Sequence, residues 1–292
     1  MKVPCADIAR SIKKDLKSRT ARLKKKRLTP KLVTILIGEA PEQLSFVKIK
    51  QKVAKELGIK FEFIHIKKTP TFFEFIGLLK QKAADPETTG VIVQQPLPSH
   101  LQTNTIYNFI PPIKEIEQHR EKSPHFPPLG LAALTILKFV YQKGKISKNL
   151  VVEEDDIPFF KQTFKHKKVV LAGRGPTGGA AIGKTLSDFK INYLSVNSQT
   201  HNPEQYYKEA DVIITAVGRK VVNKEDLKPG AVLVNVGLRR EGGKLRGDYD
   251  EKDVRKVAHY YTETPGGVGP IDVLYLYKNL LDAAEMQAKD DE

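Results

Sequence analysis

Lys168-Val169-Val170-Leu171-Ala172-Gly173-Arg174-Gly175-Pro176-Thr177-Gly178-Gly179 is the stretch whose reading decides the fold. Lys168 to Ala172 reads as a strand and Gly178 to Phe189 as a helix. Between them, Gly173-x-Gly175-x-x-x-Gly179 comes close to the dinucleotide-binding fingerprint, with one extra residue before the last glycine. Glycines let the backbone turn tightly and approach a pyrophosphate, whose charge then meets the positive end of the helix. A lone motif of this kind is weak evidence. Its place between a strand and a helix gives it weight.

The next strand, Tyr193 to Val196, ends in Asn197-Ser198-Gln199-Thr200, without the carboxylate that a ribose 2′-hydroxyl calls for. Arg174 stands in the turn instead. A guanidinium beside a hydroxyl suits a 2′-phosphate, which points to NADP, with NAD as the alternative. The plainer reading is a surface arginine beside a serine turn. The cofactor-binding candidates are Gly173, Arg174, Gly175, Gly179, Ser198 and Thr200, joined by Gly218 and Gly237 after the two strands that follow, Val212 to Ala216 and Ala231 to Val236.

Strand and helix patterns alternate outward from this point. Residues 5–26 read as an amphipathic basic helix with Ile8, Ile12, Leu16 and Leu23 on one face. Leu32 to Ile37, Phe61 to Ile66 and Gly90 to Val93 read as strands, separated by helices over 41–57, stopped by Gly58, and over 71–84. Leu129 to Tyr141 and Pro203 to Glu209 read as helices, and 142–166 as an irregular insertion, first acidic and then basic. Alternation of this kind implies α/β architecture with mostly parallel sheets. We expect two α/β domains, 1–130 and a Rossmann-like 131–268, with a last helix over 270–288 packing back on the first. The acidic end, Lys289-Asp290-Asp291-Glu292, is expected to fray.

Composition narrows the function classes. The 292 residues are long enough for two domains, and the single cysteine, Cys5, rules out an internal disulfide or a cysteine-based zinc site. The apolar runs are short and broken by charges, so no membrane span is expected. Residues 1–12 carry Lys2, Asp7 and Arg10 and lack the apolar centre of a signal peptide, so the cytoplasm is the expected compartment. The net charge of +15 raises a nucleic-acid reading. The basic residues are spread, apart from Lys24-Lys25-Lys26-Arg27 and a lysine-rich patch at 161–168, and no interleaved aromatics accompany them. A solvated basic surface, or one suited to phosphate- and carboxylate-bearing ligands, accounts for the charge better.

A second glycine-rich ribbon, Pro265-Gly266-Gly267-Val268-Gly269-Pro270, feeds the hydrophobic run Ile271 to Leu281. A rigid ribbon without side chains at a helix start can wall a ligand site, or can be a tight surface turn. Four segments taken together resemble the methylenetetrahydrofolate dehydrogenase/cyclohydrolase family. They are Gly38 to Pro41 through Phe46-Val47-Lys48-Ile49-Lys50 to Ile59, then Gly90-Val91-Ile92-Val93-Gln94-Gln95-Pro96-Leu97-Pro98, then Gly173-Arg174-Gly175 with Asn197 to Thr200, and Pro265 to Pro270. The resemblance covers nearly the whole chain.

It implies two α/β domains with a cleft between them, a homodimer, and tetrahydrofolate derivatives as substrates. The implied reaction is oxidation of 5,10-methylenetetrahydrofolate with NAD(P)⁺, followed by hydrolysis of the methenyl product to 10-formyltetrahydrofolate, a step of one-carbon metabolism that serves purine biosynthesis. In the oxidation, hydride passes directly from the one-carbon unit to the nicotinamide. The resemblance makes Lys50 the catalytic lysine and Gln94 the glutamine that contacts it. It makes Phe46, Gln43, Glu117, Pro265, Gly266 and Gly267 substrate-binding candidates.

The departures from the family pattern gather at the folate end. Phe46 and Gln43 stand where tyrosine and serine are usual. Glu115-Ile116-Glu117-Gln118 replaces Asp-Val-Asp-Gly, the stretch from there to Pro127-Pro128 is short, and Asp272 and Asn235 replace a threonine and an aspartate. Two readings stay open: a divergent enzyme with both activities, or a scaffold that has lost part of the hydrolytic chemistry. A basic nucleic-acid-binding protein on the same scaffold is the alternative from another class.

Overall fold

In the computed structural model, residues 1–120 and 122–290 are described. The elements of the first half are α1 (Cys5–Lys25), β1 (Lys31–Ile37), α2 (Pro41–Leu57), β2 (Lys60–Ile66), α3 (Phe72–Ala84) and β3 (Gly90–Val93). They continue with α4 (Pro128–Tyr141), α5 (Ile157–Phe164), β4 (Val169–Ala172), α6 (Gly179–Asp188), β5 (Leu194–Val196), α7 (Pro203–Glu209), β6 (Val212–Thr215) and β7 (Val232–Asn235). The last are β8 (Arg239–Glu241), β9 (Lys244–Arg246), α8 (Glu251–Val254), β10 (Tyr260–Tyr261) and α9 (Gly269–Asp290). The chain divides into two units.

The first unit comprises Lys13–Pro128 and the chain from Val273 onward. Its sheet has the order β2-β1-β3, and both pairings are parallel. β1 is apolar almost throughout because both of its faces are covered, and six of its seven residues are buried. Val33, Ile35, Phe75, Leu79, Val91 and Val93 form the centre of the packed core. α2 ends where Gly58 takes φ +73°, a left-handed conformation that costs a glycine little. α3 opens with a capping box: Thr71 accepts from the Glu74 N–H, and the Glu74 carboxylate accepts from the Thr71 N–H.

Two features of this unit set up the site. β3 stops at Val93, and the Gln94 N–H continues its ladder to the Ile35 carbonyl at 2.9 Å. Glu115 then bridges to Val91 in parallel, so the segment after Glu115 runs toward the same sheet end as Gln94. α9 braces both sides of that end. Its Tyr277 hydroxyl donates to the Lys50 carbonyl on α2 at 2.6 Å, and Asn279 Nδ2 donates to the Ile116 and Phe126 carbonyls at 2.8 and 2.9 Å.

The second unit comprises Met1–Ile12 and Leu129–Asp272, with a parallel sheet ordered β10-β7-β6-β4-β5. Residues 1–12 are therefore grouped differently from the expected 1–130 domain. The edge strand β10 leaves unpaired backbone groups, and the start of the chain satisfies them: Val3 N–H donates to the Tyr261 carbonyl and Tyr261 N–H to the Met1 carbonyl.

Residues 142–166 are not irregular throughout. Pro158 stands near the start of α5, and Ile157, Phe160 and Phe164 recur at helical spacing, with both phenylalanines buried. Lys138 Nζ ties this segment to α4 by reaching Asp156 Oδ2 at 2.7 Å and the Val151 carbonyl at 3.1 Å. β8 and β9 form an antiparallel hairpin that no periodicity in the sequence marks. Its two-residue turn, Gly242-Gly243, takes φ of +56° and +74°, which the twist of a tight hairpin requires. α9 carries Lys289 and Asp290, while residues 291 and 292 of the acidic end lie outside the described residues.

Candidate active site

Lys50 projects from the middle of α2 with its side chain 13% exposed. Its Nζ donates to Gln94 Oε1 at 3.0 Å and lies 3.3 Å from Glu117 Oε1. Gln94 is itself held, donating from Nε2 to the Gln95 carbonyl at 3.1 Å. An amine oriented by one neutral acceptor and one carboxylate is fixed in direction, which proton transfer needs before any tuning of charge. Glu117 thus reaches the lysine although the stretch that follows it is short.

Glu115 explains how. Buried to 1% exposure, its carboxylate accepts from the N–H groups of Glu117, His119 and Arg120, at 3.1, 2.7 and 3.3 Å. It is the anchor of the loop, and Glu117 is the group that the loop presents. Burial pushes the Glu115 carboxyl up from the ordinary range. Burial also pushes Glu117 upward, but Lys50 and His119 beside it prevail and bring its carboxyl down to about 2. Gln118 between them takes φ +66°, where the family pattern has its glycine.

Phe46, one turn before Lys50, is 45% exposed, as a ring offered to a flat ligand would be. Gln43 is buried and donates to the Pro96 carbonyl at 2.7 Å, so it braces the Gln94–Pro98 segment. His119 was not singled out from the sequence, although it stands two residues beyond Glu117. Its Nε2 lies 3.5 Å from Glu117 Oε2, and its ring stacks on Tyr107 at 4.4 Å.

The glycine turn lies in the second unit. Gly173 takes φ +108°, and a Cβ there would stand 2.4 Å from the Ala216 carbonyl oxygen. A Cβ on Gly179 would meet the Gly173 carbonyl oxygen at 2.0 Å. Gly175 has open space on its Cβ side, where a pyrophosphate could approach. Arg174 folds along β5: Nε donates to Ser195 Oγ at 3.0 Å and a terminal nitrogen to the Ser195 carbonyl at 3.2 Å. Its hydroxyl neighbour is thus Ser195 and not Ser198. Thr200 Oγ1 accepts from the Asn197 N–H at 3.0 Å and closes the turn.

Gly218 takes φ +80°, and its N–H donates to Asp248 Oδ1 at 2.9 Å, as the Val217 N–H does to Oδ2 at 2.8 Å. Gly237 lies against the same carboxylate, which a Cβ would meet at 2.1 Å. Both glycines therefore shape the wall around Asp248, a residue without a sequence signal. Gly266 takes φ +98°, and Gly267 leaves no room for a Cβ, with the Glu263 carbonyl oxygen at 2.4 Å. Pro265 follows Thr264, whose N–H donates to Glu251 Oε1 and whose Oγ1 accepts from Asn235 Nδ2 at 2.8 Å. Lys50, Gln94, Glu117, Phe46 and Gln43 thus belong to one unit, and the candidates from Gly173 to Gly267 to the other.

This pairing of a lysine unit with a glycine-turn unit has close counterparts. The catalytic domain of tetrahydrofolate dehydrogenase/cyclohydrolase matches residues 3–117, and its NAD(P)-binding domain matches residues 157–288. The chain belongs to the tetrahydrofolate dehydrogenase/cyclohydrolase family. The bifunctional protein FolD of Staphylococcus carnosus is 33% identical over 288 residues, which span 96% of this chain and 95% of its own. That of Brevibacillus brevis is 31% identical over 97% of this chain and 96% of its own. Among solved structures, the bifunctional FolD of Campylobacter jejuni superposes with a TM-score of 0.86 at 26% identity, covering 98% of this chain and 99% of its own.

Within the family frame, Asn235 keeps its place by bonding. Oδ1 accepts from the Asp248 N–H and the Thr215 hydroxyl, at 2.8 and 2.9 Å, and Nδ2 donates to the Gly237 carbonyl at 2.8 Å. A carboxylate could not make that last bond.

Proposed function

We propose that this chain oxidises 5,10-methylenetetrahydrofolate with NADP⁺ and hydrolyses the methenyl product to 10-formyltetrahydrofolate. The observation that carries this reading is the position of Lys50 Nζ between Gln94 Oε1 at 3.0 Å and Glu117 Oε1 at 3.3 Å. Gln94 and Glu117 aim the lysine, Phe46 offers a ring face, and Glu117 offers carboxylate oxygens to the donor edge of a pterin. For hydrolysis, Lys50 first releases its ammonium proton to solvent and, as the neutral amine, takes a proton from the water that adds to the cationic methenyl carbon. The turn from Gly173 to Gly179 would hold the pyrophosphate, with Arg174 beside a 2′-phosphate. When bound, the nicotinamide supplies the hydride acceptor. The proposed setting is one-carbon metabolism in the cytoplasm, feeding purine biosynthesis, with the protein as a homodimer.

The test follows NADP⁺ reduction and methenyltetrahydrofolate absorbance. Wild type should do both. Lys50→Arg should lose hydrolysis, because a guanidinium does not give up its proton. Lys50→Gln should lose hydrolysis while keeping measurable oxidation, since hydride transfer needs alignment and not a base. Equal hydrolysis by wild type and Lys50→Arg would remove Lys50 from its role. Phe46, with no phenolic hydroxyl, favours a second reading, a dehydrogenase without hydrolase activity. Reduction of NADP⁺ without methenyl hydrolysis in wild type is its signature. Replacing Arg174 by alanine should raise KM for NADP⁺ about 10-fold and leave that for NAD⁺ nearly unchanged.

A further inference from the structure

Glu117 lies between two nitrogen groups, and only one of them is the lysine of the reaction. Oε1 faces Lys50 Nζ at 3.3 Å, while Oε2 faces His119 Nε2 at 3.5 Å. The imidazole is not a surface group that wandered there. Its backbone N–H is held by the buried Glu115 carboxylate at 2.7 Å, and its ring lies on the Tyr107 ring at 4.4 Å with 28° between planes. The Tyr107 hydroxyl is bonded in turn to the Gln95 side chain, next to Gln94. Among the described residues, the charged and titratable groups around the ring are Glu117 and Glu115 on its own loop, Lys50 from α2, and Tyr107. Arg120, the neighbour in sequence, turns away and donates to the Ile110 carbonyl at 2.6 Å.

We propose that His119 is a positioning residue for the folate end of the site: as an imidazolium it holds the outer oxygen of Glu117, and its deprotonation frees that carboxylate to turn. This rests on the folate reading above and deepens it. Burial pulls the proton affinity of His119 down, but Glu117 and then Glu115 outweigh burial, and the net shift is upward. The imidazolium therefore persists to a higher pH than in an unperturbed histidine and is lost as pH rises through the raised value. A carboxylate that must meet a flat donor edge with both oxygens works best when its plane is fixed. Losing one of its two holders loosens that plane, which weakens substrate binding and leaves the hydride step alone.

The consequence is a KM for the folate that rises about fivefold between roughly pH 6 and pH 9, with kcat for oxidation following a separate profile. His119→Gln keeps a donor near the Nε2 position but cannot titrate, so its KM should stay low and flat over the same range. His119→Phe keeps the stack on Tyr107 without a donor, and its KM should be high and flat. Independently of turnover, carbon-13 NMR of the His119 ring should show titration above the ordinary histidine value, falling back in Glu117→Gln. A rise of KM with pH that persists in His119→Gln overturns the proposal. So does a His119 titration that Glu117→Gln leaves unmoved. Absence of both turnover and folate binding in wild type defeats the functional reading instead, and the NMR titration then still decides whether the two groups are coupled.

Discussion

Gln118 concentrates the strain of the site in one residue. Its φ of +66° lies in the left-handed region, where a Cβ crowds the backbone, and its buried Oε1 has no hydrogen-bond partner among the described residues. The turn is needed because Glu115 must collect three backbone N–H groups while Glu117 swings out to Lys50. Gln118→Gly should therefore stabilise the protein by about 1 kcal/mol, the relief of backbone crowding exceeding the added freedom of the unfolded chain. Thermal unfolding measures this, and a lower midpoint for the variant would count against a strained turn. At this scale the sequence was informative only where a motif spoke. Lys50 and Gln94 were legible by register in a pattern. His119 was not, since nothing in Glu117-Gln118-His119 says that the first and third side chains face each other.

Among the elements, α9 does the most to hold the site, and it does so within the first unit. It meets α1 through a cluster of charges: Arg19 reaches Asp282 Oδ1 at 2.6 Å and Glu285 Oε2 at 3.0 Å, and Lys278 reaches Asp282 Oδ2 at 2.8 Å. Burial acts to raise the Asp282 carboxyl, yet Lys278 and Arg19 prevail and hold it below its ordinary value. A depressed carboxylate stabilises the fold above its unfolded value and loses that effect as pH falls through the folded one. Asp282→Asn should cost on the order of 2 kcal/mol at neutral pH, and the gap to wild type should narrow on acidification below about pH 4. Denaturant unfolding at neutral and acid pH reads both; a gap that stays constant with pH would place the cost in packing and not in charge. The pattern of apolar residues gave away α1 and α9 as helices. Their ion cluster joins residues 263 and 266 positions apart, which no local pattern encodes. The short β10 and the two-glycine β8–β9 hairpin were missed for the opposite reason. They are brief, and their stability comes from neighbours and not from intrinsic preference.

For the molecule as a whole, the charge of +15 and the glycine turn invite different partners, and one measurement separates them. NADP⁺ at about 100 times its dissociation constant should stabilise the native state by about 2.7 kcal/mol, visible as a higher melting temperature. A single-stranded oligonucleotide should leave the melting temperature unchanged at physiological salt. If the oligonucleotide shifts it steeply with salt and NADP⁺ does not, the basic surface is the functional one. Among the described residues no helix is long and apolar enough to cross a membrane. What the sequence by itself determined are the features written in short spans: alternating strands and helices, turns where only glycine fits, and the register of Lys50 and Gln94. The elements and turns follow from backbone sterics and side-chain period, which act over a few residues, and the register of Lys50 and Gln94 from the resemblance to the family pattern. Only the tertiary structure decided that Met1–Ile12 joins the second unit, that Glu115 anchors the loop while Glu117 serves it, that Arg174 lies on Ser195, and that Tyr277 and Asn279 brace the lysine and its carboxylate. Apart from the Glu115 contacts, which span two to five residues, these are hydrogen bonds or packing contacts between segments distant in the chain. Such contacts satisfy buried polar groups wherever the fold happens to bring a partner, so their identity is a property of the folded shape.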